Sequence, residues 1–421
     1  MKSHYQVLII GGGTGGIMTA AQLKRKDRNL SVALIEPSKN HYYQPAWTLV
    51  GAGAFDFKST RRDEANLIPR GVDWIQDYAT TFQPEKNQVG TKGSGNITYD
   101  ALVISAGIQS DIDALPGLRE ALKTDSVCSN YFDPEKTFEV LKKFKGGNAV
   151  FTQPATPIRC GGAPQKIMYL AEEYFKKSGV RPQTNVIFAT PGSVIFGVKV
   201  FADELTRILA EKHVHLKTFY KPVSIDPVKK EITFQFVKPE AAISAEQLDH
   251  AIGESQAGPN LVTIPYDMLH LAPPQSAPDF IKQSPFAHTE GPNKGWLNVD
   301  IHTLQHPEYP NVFGLGDSAA LPTAKTGAAI RKQVPVVVEN VTRILKQMPA
   351  SEKGYEGYSS CPIVTGYGKM LLCEFKYNNV RDSDPLLSKF VDTSKERWSM
   401  WVLKKYGLPW LYWNMMMKGR M

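Results

Sequence analysis

Tyr5-Gln-Val-Leu-Ile-Ile10, followed by Gly11-Gly-Gly-Thr-Gly-Gly16, is the stretch that decides the fold. The apolar run predicts a buried strand, and the glycines lead into a helical pattern that extends to about Arg28. A second predicted strand, residues 31–35, ends in Glu36. In a dinucleotide-binding βαβ unit the glycines permit a tight turn, a pyrophosphate rests on the helix N-terminus, and the acid accepts hydrogen bonds from a ribose. We therefore predict an α/β fold that binds a dinucleotide.

Two later stretches indicate which dinucleotide is bound. Residues 99–107 are typical of a strand running into a small-residue turn, and Asn311-Val-Phe-Gly-Leu-Gly316-Asp317 is typical of a strand that ends in Gly-Asp. A carboxylate there can hold a ribityl hydroxyl, and the following helix N-terminus can stabilise negative charge on a reduced flavin ring. The combination resembles the flavoproteins with two dinucleotide-binding domains, and this resemblance implies FAD. Helix capping is the alternative role for Asp317.

A second βαβ pattern lies between the two parts of the first. Strands predicted at residues 148–152 and 185–189 each precede a helix, one opening at Pro164 and one covering residues 201–212. We expect a second Rossmann-like domain, inserted in the first. Its turn does not fit G-x-G-x-x-G, and Pro191 occupies the loop, so no NAD(P)H site is predicted there. The predicted units are residues 1–110 with 290–350, residues 111–289 and residues 351–421.

Composition and charge limit the classes of function. The 421 residues are 42% hydrophobic and 21% charged, which is typical of globular domains. No apolar run reaches the roughly 18 residues of a membrane-spanning helix. The formal net charge is +8, and residues 395–421 hold six basic residues against Glu396 alone, together with four of the seven tryptophans. A basic tail rich in tryptophan predicts an anionic membrane surface as partner and argues against nucleic acid.

The tail is expected to form two short amphipathic helices, broken at Gly407-Leu-Pro409. Packing of the same stripe on the protein's own core is the alternative. Neither helix is long enough to span a bilayer, so we predict a peripheral protein whose tryptophans lie at headgroup level while Lys and Arg reach anionic lipid.

Four scattered cysteines favour neither a disulfide-dense scaffold nor a structural zinc site, and no metal is predicted. Cys160 precedes the helix predicted from Pro164, and both Arg159 and the helix N-terminus favour its thiolate. Cys361 lies in a predicted turn that offers an exposed thiol. Cys373 alternates with apolar residues on a strand and is predicted to be structural, and Cys128 has no distinguishing neighbours. The residues alone favour a Cys160–Cys361 pair without excluding others.

The chain resembles the sulfide:quinone oxidoreductases, in particular the branch that includes the mitochondrial enzymes. The strings that carry the resemblance are Glu36-Pro-Ser, Tyr43-Gln-Pro, Trp47-Thr-Leu-Val-Gly-Ala-Gly53, Cys160-Gly-Gly-Ala-Pro-Gln-Lys-Ile-Met-Tyr-Leu170, Pro322-Thr-Ala-Lys325-Thr, Ser360-Cys361-Pro-Ile-Val-Thr-Gly-Tyr367 and Leu411-Tyr-Trp-Asn-Met-Met416. The resemblance implies that Cys160 and Cys361 are the redox cysteines. Taken with the motifs above, it gives the predicted FAD contacts as Gly11, Gly13, Thr14, Gly15, Gly16, Glu36, Gln44, Ala79, Gly107, Gly316, Asp317, Lys325 and Thr326.

The resemblance also implies the reaction. Hydrogen sulfide, as hydrosulfide, attacks a bridge between Cys160 and Cys361, either a disulfide or a bridge with an extra sulfur, and leaves a persulfide on Cys361. Two electrons pass through FAD to a membrane quinone, and sulfite, glutathione or another sulfide takes the sulfane sulfur. Arg331 and Lys332 stand where the family usually has small residues, so quinone access is expected to differ.

Two other functions are compatible with the pattern. A type II NADH:quinone oxidoreductase shares the architecture and needs no cysteines, although the missing second fingerprint speaks against it. A flavin-bearing electron-transfer or membrane-tethered binding protein without turnover is the other. NADH oxidation would reveal the first, and sulfide-dependent bleaching of the flavin would exclude the second.

The expected location is a membrane surface. Few residues precede the first predicted strand, so no targeting segment is recognised. The bacterial inner membrane is therefore expected, or the mitochondrial inner membrane if a transit peptide has been removed. Deleting residues 395–421 is expected to release the protein from anionic vesicles while sulfide still reduces the flavin.

Overall fold

The structure, a computed structural model, describes residues 2–351 and 353–421. Its α-helices in chain order are Thr14–Lys26, Trp47–Val50, Leu118–Ala121, Pro134–Lys143, Ala163–Lys177, Lys199–Glu211, Asp279–Lys282, Gly327–Leu345, Pro385–Ser388, Trp398–Val402 and Leu408–Asn414.

The first sheet is built around the strand His4–Ile10, whose apolar residues are buried as predicted. Val32–Ile35 and then Val72–Ile75 pair with it in parallel on one side, and Asn96–Ile104 pairs with it on the other. The far edge of Asn96–Ile104 pairs with the antiparallel strand Gln88–Thr91, which leads to Ala79–Gln83, and with the parallel strand Val312–Gly314. Since parallel strands end at one edge of a sheet, the turns after residues 10, 35, 104 and 314 meet there.

The second sheet is entirely parallel, with strand order Val127–Cys128, Met268–Leu271, Gly147–Thr152, Thr184–Thr190 and Val214–Thr218. The predicted strands at 148–152 and 185–189 and both predicted helices are therefore confirmed. An antiparallel sheet follows, with strand order Tyr220–Asp226, Glu231–Phe236, Leu261–Pro265 and Ser255–Gly258. The fold class, with the second doubly wound unit inserted in the first, is confirmed, while the residue boundaries of the units stay predictions.

A small fourth sheet brings the C-terminal region onto the second unit. The strands Ser359–Gly366, Lys369–Lys376 and Val380–Arg381 are antiparallel neighbours, and the first packs against the helix Ala163–Lys177. The strand predicted around Cys373 is confirmed. The turn predicted at Cys361 is wrong, because this residue lies within a paired, covered strand and is buried. Two further small sheets pair Asn40–Tyr42 with Arg61–Asp63 and Gln109–Ser110 with Gln275–Ser276.

The tail differs from its prediction in one respect. Trp398–Val402 continues through a π-helical turn, Leu403–Gly407, directly into Leu408–Asn414, and a 3-10 turn, Met416–Lys418, follows. The predicted break at residues 407–409 is wrong, because the backbone stays helical through Gly407 and Pro409, and the N–H that Pro409 lacks falls directly after the π-helical turn, where the regular hydrogen-bond pattern already changes.

The tail has one face against the protein and one face open. Trp401, Tyr412, Met416 and Met417 are buried, whereas Trp398, Tyr406 and Trp410 are exposed. Core packing is therefore the correct interpretation for the buried residues, while the membrane-facing role of the exposed ones stays a prediction. Among the residues described, no helix combines the length and the apolar character needed to cross a membrane.

Candidate active site

The loop Gly11–Gly16 is shaped by close backbone contacts. A Cβ on Gly11, whose φ is +98°, would lie 2.4 Å from the Ser105 carbonyl oxygen, and a Cβ on Gly16 would lie 1.8 Å from the Gly11 carbonyl oxygen. Gly15 is closed off in the same way by the Ser105 hydroxyl. Gly13 is different, because a Cβ added there would meet no atom within 4 Å. This open space beside the N-terminus of the Thr14–Lys26 helix fits a pyrophosphate group.

Glu36 is held against the same loop. One of its carboxylate oxygens accepts the Gly12 N–H at 2.7 Å, and the other accepts the Ser38 N–H at 2.7 Å. The carboxylate therefore has a fixed position one residue beyond the Val32–Ile35 strand and keeps free lone pairs. That arrangement fits recognition of a ribose hydroxyl.

Asp317 lies in the turn after Val312–Gly314, at the predicted strand end. Gly316 has a φ of +74°, and its N–H donates to the side-chain carbonyl of Gln333 at 2.9 Å, which ties this turn to the long C-terminal helix of the first unit. Burial raises the pKa of the Asp317 carboxyl, and the charges of Arg159 and Lys325 oppose that rise. Asp317 does not cap the Gly327–Leu345 helix, since the Thr326 hydroxyl does so by accepting the Ala329 N–H at 3.1 Å.

Lys325 places an ammonium group near Asp317. Its ammonium donates to the Ala319 carbonyl at 2.9 Å and lies 4.1 Å from the centre of the Trp296 ring. Burial lowers its pKa to about 8, and Asp317 opposes that shift. Gly327 faces open space at the helix N-terminus, as Gly13 does at the first helix. The site therefore presents two open helix N-termini, each beside a charged side chain, and fits a dinucleotide with an anionic ring.

Three other predicted FAD contacts lie outside the Gly11–Gly16 loop, namely Gly107, Gln44 and Ala79. Gly107, with a φ of +73°, follows the Asn96–Ile104 strand and faces open space. Gln44 is half-buried and begins the turn Gln44–Ala46. Ala79 begins the edge strand Ala79–Gln83, and its side chain lies in the buried core, so only its backbone is available to a ligand. The individual FAD contacts stay predictions.

The two cysteines singled out by the sequence lie side by side. The Sγ atoms of Cys160 and Cys361 are 3.7 Å apart, although the residues are 201 positions apart in the chain. Cys160 has a φ of +55°, the left-handed region that non-glycine residues rarely adopt, and its N–H donates to the Lys325 carbonyl at 2.8 Å. A Cβ on Gly162 would lie 2.5 Å from Cys361 Sγ. The absence of a side chain at Gly162 is therefore what lets the loop that carries Cys160 approach the strand that carries Cys361.

The pKa values of the two thiols are shifted in opposite directions. The pKa of Cys160 is held well below its usual value because Cys361 donates a hydrogen bond to it and the Lys166 ammonium lies 3.1 Å from its sulfur, although burial opposes this. The pKa of Cys361 is raised well above its usual value by the same hydrogen bond and by burial. Arg159, which we expected to stabilise the thiolate, instead places its charge near Asp317. The lowered pKa favours the thiolate form of Cys160, and the raised pKa favours the protonated form of Cys361.

Two lysines of this site were missed by the sequence analysis. Lys166 is buried on the helix that follows Cys160, and Lys404 reaches the site from the tail. The Lys404 ammonium donates to the Pro45 carbonyl at 2.8 Å, and burial together with the charge of Lys166 lowers its pKa to about 7. Lys166 had a local signal, since it is the one basic residue among the buried positions of its helix. Lys404 had none, because the tail sequence favoured a lipid-facing role.

The remaining cysteines are structural in character. Cys128 is buried, its thiol donates to the Leu269 carbonyl at 3.7 Å, and burial raises its pKa to about 12. Cys373 is buried opposite Cys361 in the hairpin, and burial raises its pKa as well. Within residues 2–351 and 353–421, no group of three His, Cys, Asp or Glu side chains is arranged to hold a metal ion.

The fold and the site define a flavoprotein oxidoreductase with a thiol pair beside its cofactor site. Residues 5–143 match the family model described as pyridine nucleotide-disulphide oxidoreductase. The chain is 44% identical to the mitochondrial sulfide:quinone oxidoreductase of Mus musculus, over 99% of this chain and 87% of that protein. It is 42% identical to the mitochondrial enzyme of the same name from Dictyostelium discoideum, over 100% of this chain and 87% of that protein.

A solved structure agrees at the level of the fold. The sulfide:quinone oxidoreductase of Aquifex aeolicus superposes with a TM-score of 0.77 at 19% sequence identity, covering 99% of this chain and 92% of that one. The chain belongs to the sulfide:quinone oxidoreductases, and to their mitochondrial-like branch. Its cofactor is FAD, and sulfide and quinone are its substrates.

Proposed function

We propose that Cys160 and Cys361 form the redox centre at which this protein oxidises sulfide. The observation that carries this proposal is the 3.7 Å separation of their sulfur atoms beside the buried ammonium of Lys166. Two thiols at this distance can close to a disulfide with a small side-chain movement, and their unequal pKa values assign them different roles.

The oxidised pair reacts first with hydrosulfide. The HS⁻ sulfur attacks Cys361 Sγ, the bond between the two cysteines breaks, Cys160 leaves as a thiolate, and Cys361 becomes a persulfide that keeps the proton. Cys160 suits the leaving role because its thiolate is the stabilised one. A nucleophile then takes the outer sulfur from Cys361, and loss of two electrons from the two sulfurs restores their bond. FAD, when bound, supplies the two-electron acceptor that connects this centre to a quinone.

Lys166 and Lys404 account for the attraction of an anionic substrate. Both side chains are buried, and the charge of each acts on Cys160. A cation in a site of low dielectric raises the local concentration of HS⁻ and stabilises the leaving thiolate. The sulfur acceptor is proposed to be a small nucleophile, namely sulfite, glutathione or a second sulfide.

The protein is proposed to lie on an anionic membrane and to draw its quinone from it. Phe390, Trp398 and Trp410 are 81%, 71% and 58% exposed and lie within a short stretch of the C-terminal region. Exposed Lys and Arg residues accompany them, at positions 389, 395, 397, 418 and 420. We name Phe390, Trp398, Tyr406 and Trp410 the aromatic face. Aromatic rings favour the headgroup level and basic side chains favour anionic lipid, so this face fits peripheral attachment. The proposed location is the bacterial or mitochondrial inner membrane.

An anaerobic titration of the purified protein with sulfide tests the proposed centre. We expect the flavin absorbance to bleach, decylubiquinone to restore it, and NADH to have no effect over the same time. A flavin that NADH reduces and sulfide does not would overturn the proposal and favour an NADH:quinone oxidoreductase.

A further inference from the structure

The hydroxyl of Tyr412, in the last helix of the tail, contacts the dinucleotide-binding loop. It lies 2.8 Å from the Thr14 hydroxyl and 2.6 Å from Nε2 of His41. Tyr412 is only 4% exposed, and its ring lies 4.7 Å from that of Tyr43. Thr14 is the first residue of the helix whose N-terminus faces the open space at Gly13. A residue near the end of the chain thus fixes a hydroxyl at the pyrophosphate position.

His41 extends this contact to the other side of Gly13. Its Nδ1 lies 3.2 Å from the Gly12 carbonyl oxygen and 3.3 Å from a carboxylate oxygen of Glu64. Both side chains are buried, and burial raises the pKa of Glu64 while His41 opposes the rise. Burying polar groups of this kind is unfavourable unless they are paired. Their hydrogen bonds converge on Gly12 and Thr14, the two neighbours of Gly13, and the thiol chemistry does not use them.

The end of the tail also packs against the Thr14–Lys26 helix, at a second place. Met416 and Met417 lie in the core cluster that contains Ile17 and Leu23 of the Thr14–Lys26 helix. A Cβ on Gly419, whose φ is +62°, would lie 2.8 Å from the Gln22 backbone nitrogen. The Gln22 side chain donates to the Met421 carbonyl. The tail is therefore packed along the helix by apolar burial and reaches its N-terminus by hydrogen bonds.

We propose that residues 408–421, the C-terminal latch, are part of the FAD site and that latch and cofactor stabilise one another. Both partners order the loop from Gly11 to Thr14, the latch from the protein side and the pyrophosphate from the open side. When two partners order one segment, the first to bind removes part of the entropy loss for the second, and the coupling is reciprocal. Tyr412 acts in this scheme as a positioning residue through Thr14 and His41. Flavin retention of this kind is independent of the redox role of the cysteines.

The test compares two full-length holoenzyme variants. Tyr412→Phe removes both hydrogen bonds and keeps the ring, whereas Tyr406→Phe removes a hydroxyl from a tyrosine just before the latch that is 62% exposed. FAD release is followed by the rise in flavin fluorescence after dilution and during heating. We expect Tyr412→Phe to release FAD roughly tenfold faster than wild type, the effect of losing buried hydrogen bonds, and Tyr406→Phe to match wild type.

Hydrogen exchange of the same holoenzymes provides a readout that needs no turnover. In Tyr412→Phe, peptides covering residues 11–22 and 408–421 should both exchange faster, while those covering the Lys199–Glu211 helix should not change. Equal FAD release in the two variants would overturn the proposal. So would faster exchange of the latch with unchanged exchange of the loop, because latch and loop would then be uncoupled.

Discussion

Lys166 Nζ lies 3.1 Å from Cys160 Sγ, and both groups belong to the segment that turns into the Ala163–Lys177 helix. The lysine begins the second turn of that helix, so helical geometry directs its side chain back toward the residues before the helix. The left-handed backbone of Cys160 places its sulfur within reach of that ammonium and of Cys361. The acidity of Cys160 therefore depends on a contact within one short segment and on a strand that arrives from 201 residues away.

Replacing either redox cysteine should abolish turnover. Cys160→Ser and Cys361→Ser are each expected to lower sulfide-dependent quinone reduction by about three orders of magnitude, and the double variant should be no worse, because the two residues act as one unit. Cys128→Ser is the matched control, since Cys128 is buried and lies in another sheet. Quinone reduction is measured under anaerobic conditions at fixed flavin content. A loss in Cys128→Ser as large as that in Cys160→Ser would mean that the pairing is wrong.

Removing the charge of Lys166 should make Cys160 less reactive at neutral pH. The ammonium lowers the pKa of Cys160, so Lys166→Met should raise that pKa and shift the pH profile of alkylation of the reduced protein to higher pH. At pH 7 we expect alkylation to slow by roughly tenfold, the effect of losing one charge-assisted hydrogen bond. Lys177→Met, at an exposed position on the same helix, should leave the profile in place. Superimposable profiles for the two variants would contradict this role.

Lys404 should give sulfide binding a pH dependence. Its pKa is lowered to about 7, so the side chain is a cation below that pH and is neutral above it. The rate constant for flavin reduction, expressed per HS⁻, should fall as the pH rises through about 7. Lys404→Met should be several-fold slower at pH 6 and should lack this decrease, while Lys405→Met should retain it. Stopped-flow absorbance between pH 6 and 8 measures this, and an unchanged decrease in Lys404→Met would assign it to another group.

The aromatic face should be tested by substitution and not by deletion, because other side chains of the tail are part of the protein's own core. The expectation that flavin reduction survives deletion of residues 395–421 is at odds with the structure, since the deletion would remove Lys404 from the thiol site and Tyr412 from the core. Joint replacement of Phe390, Trp398 and Trp410 by Ala removes only exposed rings.

That triple variant should partition into anionic vesicles roughly tenfold or more weakly and retain its FAD. Val228→Ala, at a residue 91% exposed in the second unit, is the control for loss of an exposed apolar side chain. Cosedimentation with vesicles containing phosphatidylglycerol provides the measurement. Equal sedimentation of the triple variant and wild type would place the membrane contact elsewhere.

Local sequence was sufficient to predict the candidate cofactor site because that site is built from short motifs. The strand at residues 5–10, the glycines after it and Glu36 lie within a few tens of residues, and a side chain at Gly11 or Gly16 would collide with a backbone carbonyl. The Gly316-Asp317 turn could be found because it ends a strand of the same sheet. Specific strings also favoured Cys160 and Cys361 as a pair.

Tertiary structure decided the environment of those residues. Periodicity gave no sign that Cys361 lies in a covered strand, that Lys166 and not Arg159 faces Cys160, or that Lys404 is buried. It also gave no sign that Tyr412 contacts Thr14, 398 residues earlier in the chain. The reason is physical: a helical stripe of aromatic and basic residues has the same sequence pattern whether it meets lipid or protein, and only the surface packed against it selects which side chains lose water. The motifs of this protein could therefore be found from the sequence alone. The acidity of its thiols and the attachment of its tail depend instead on which distant segments come into contact in the folded chain.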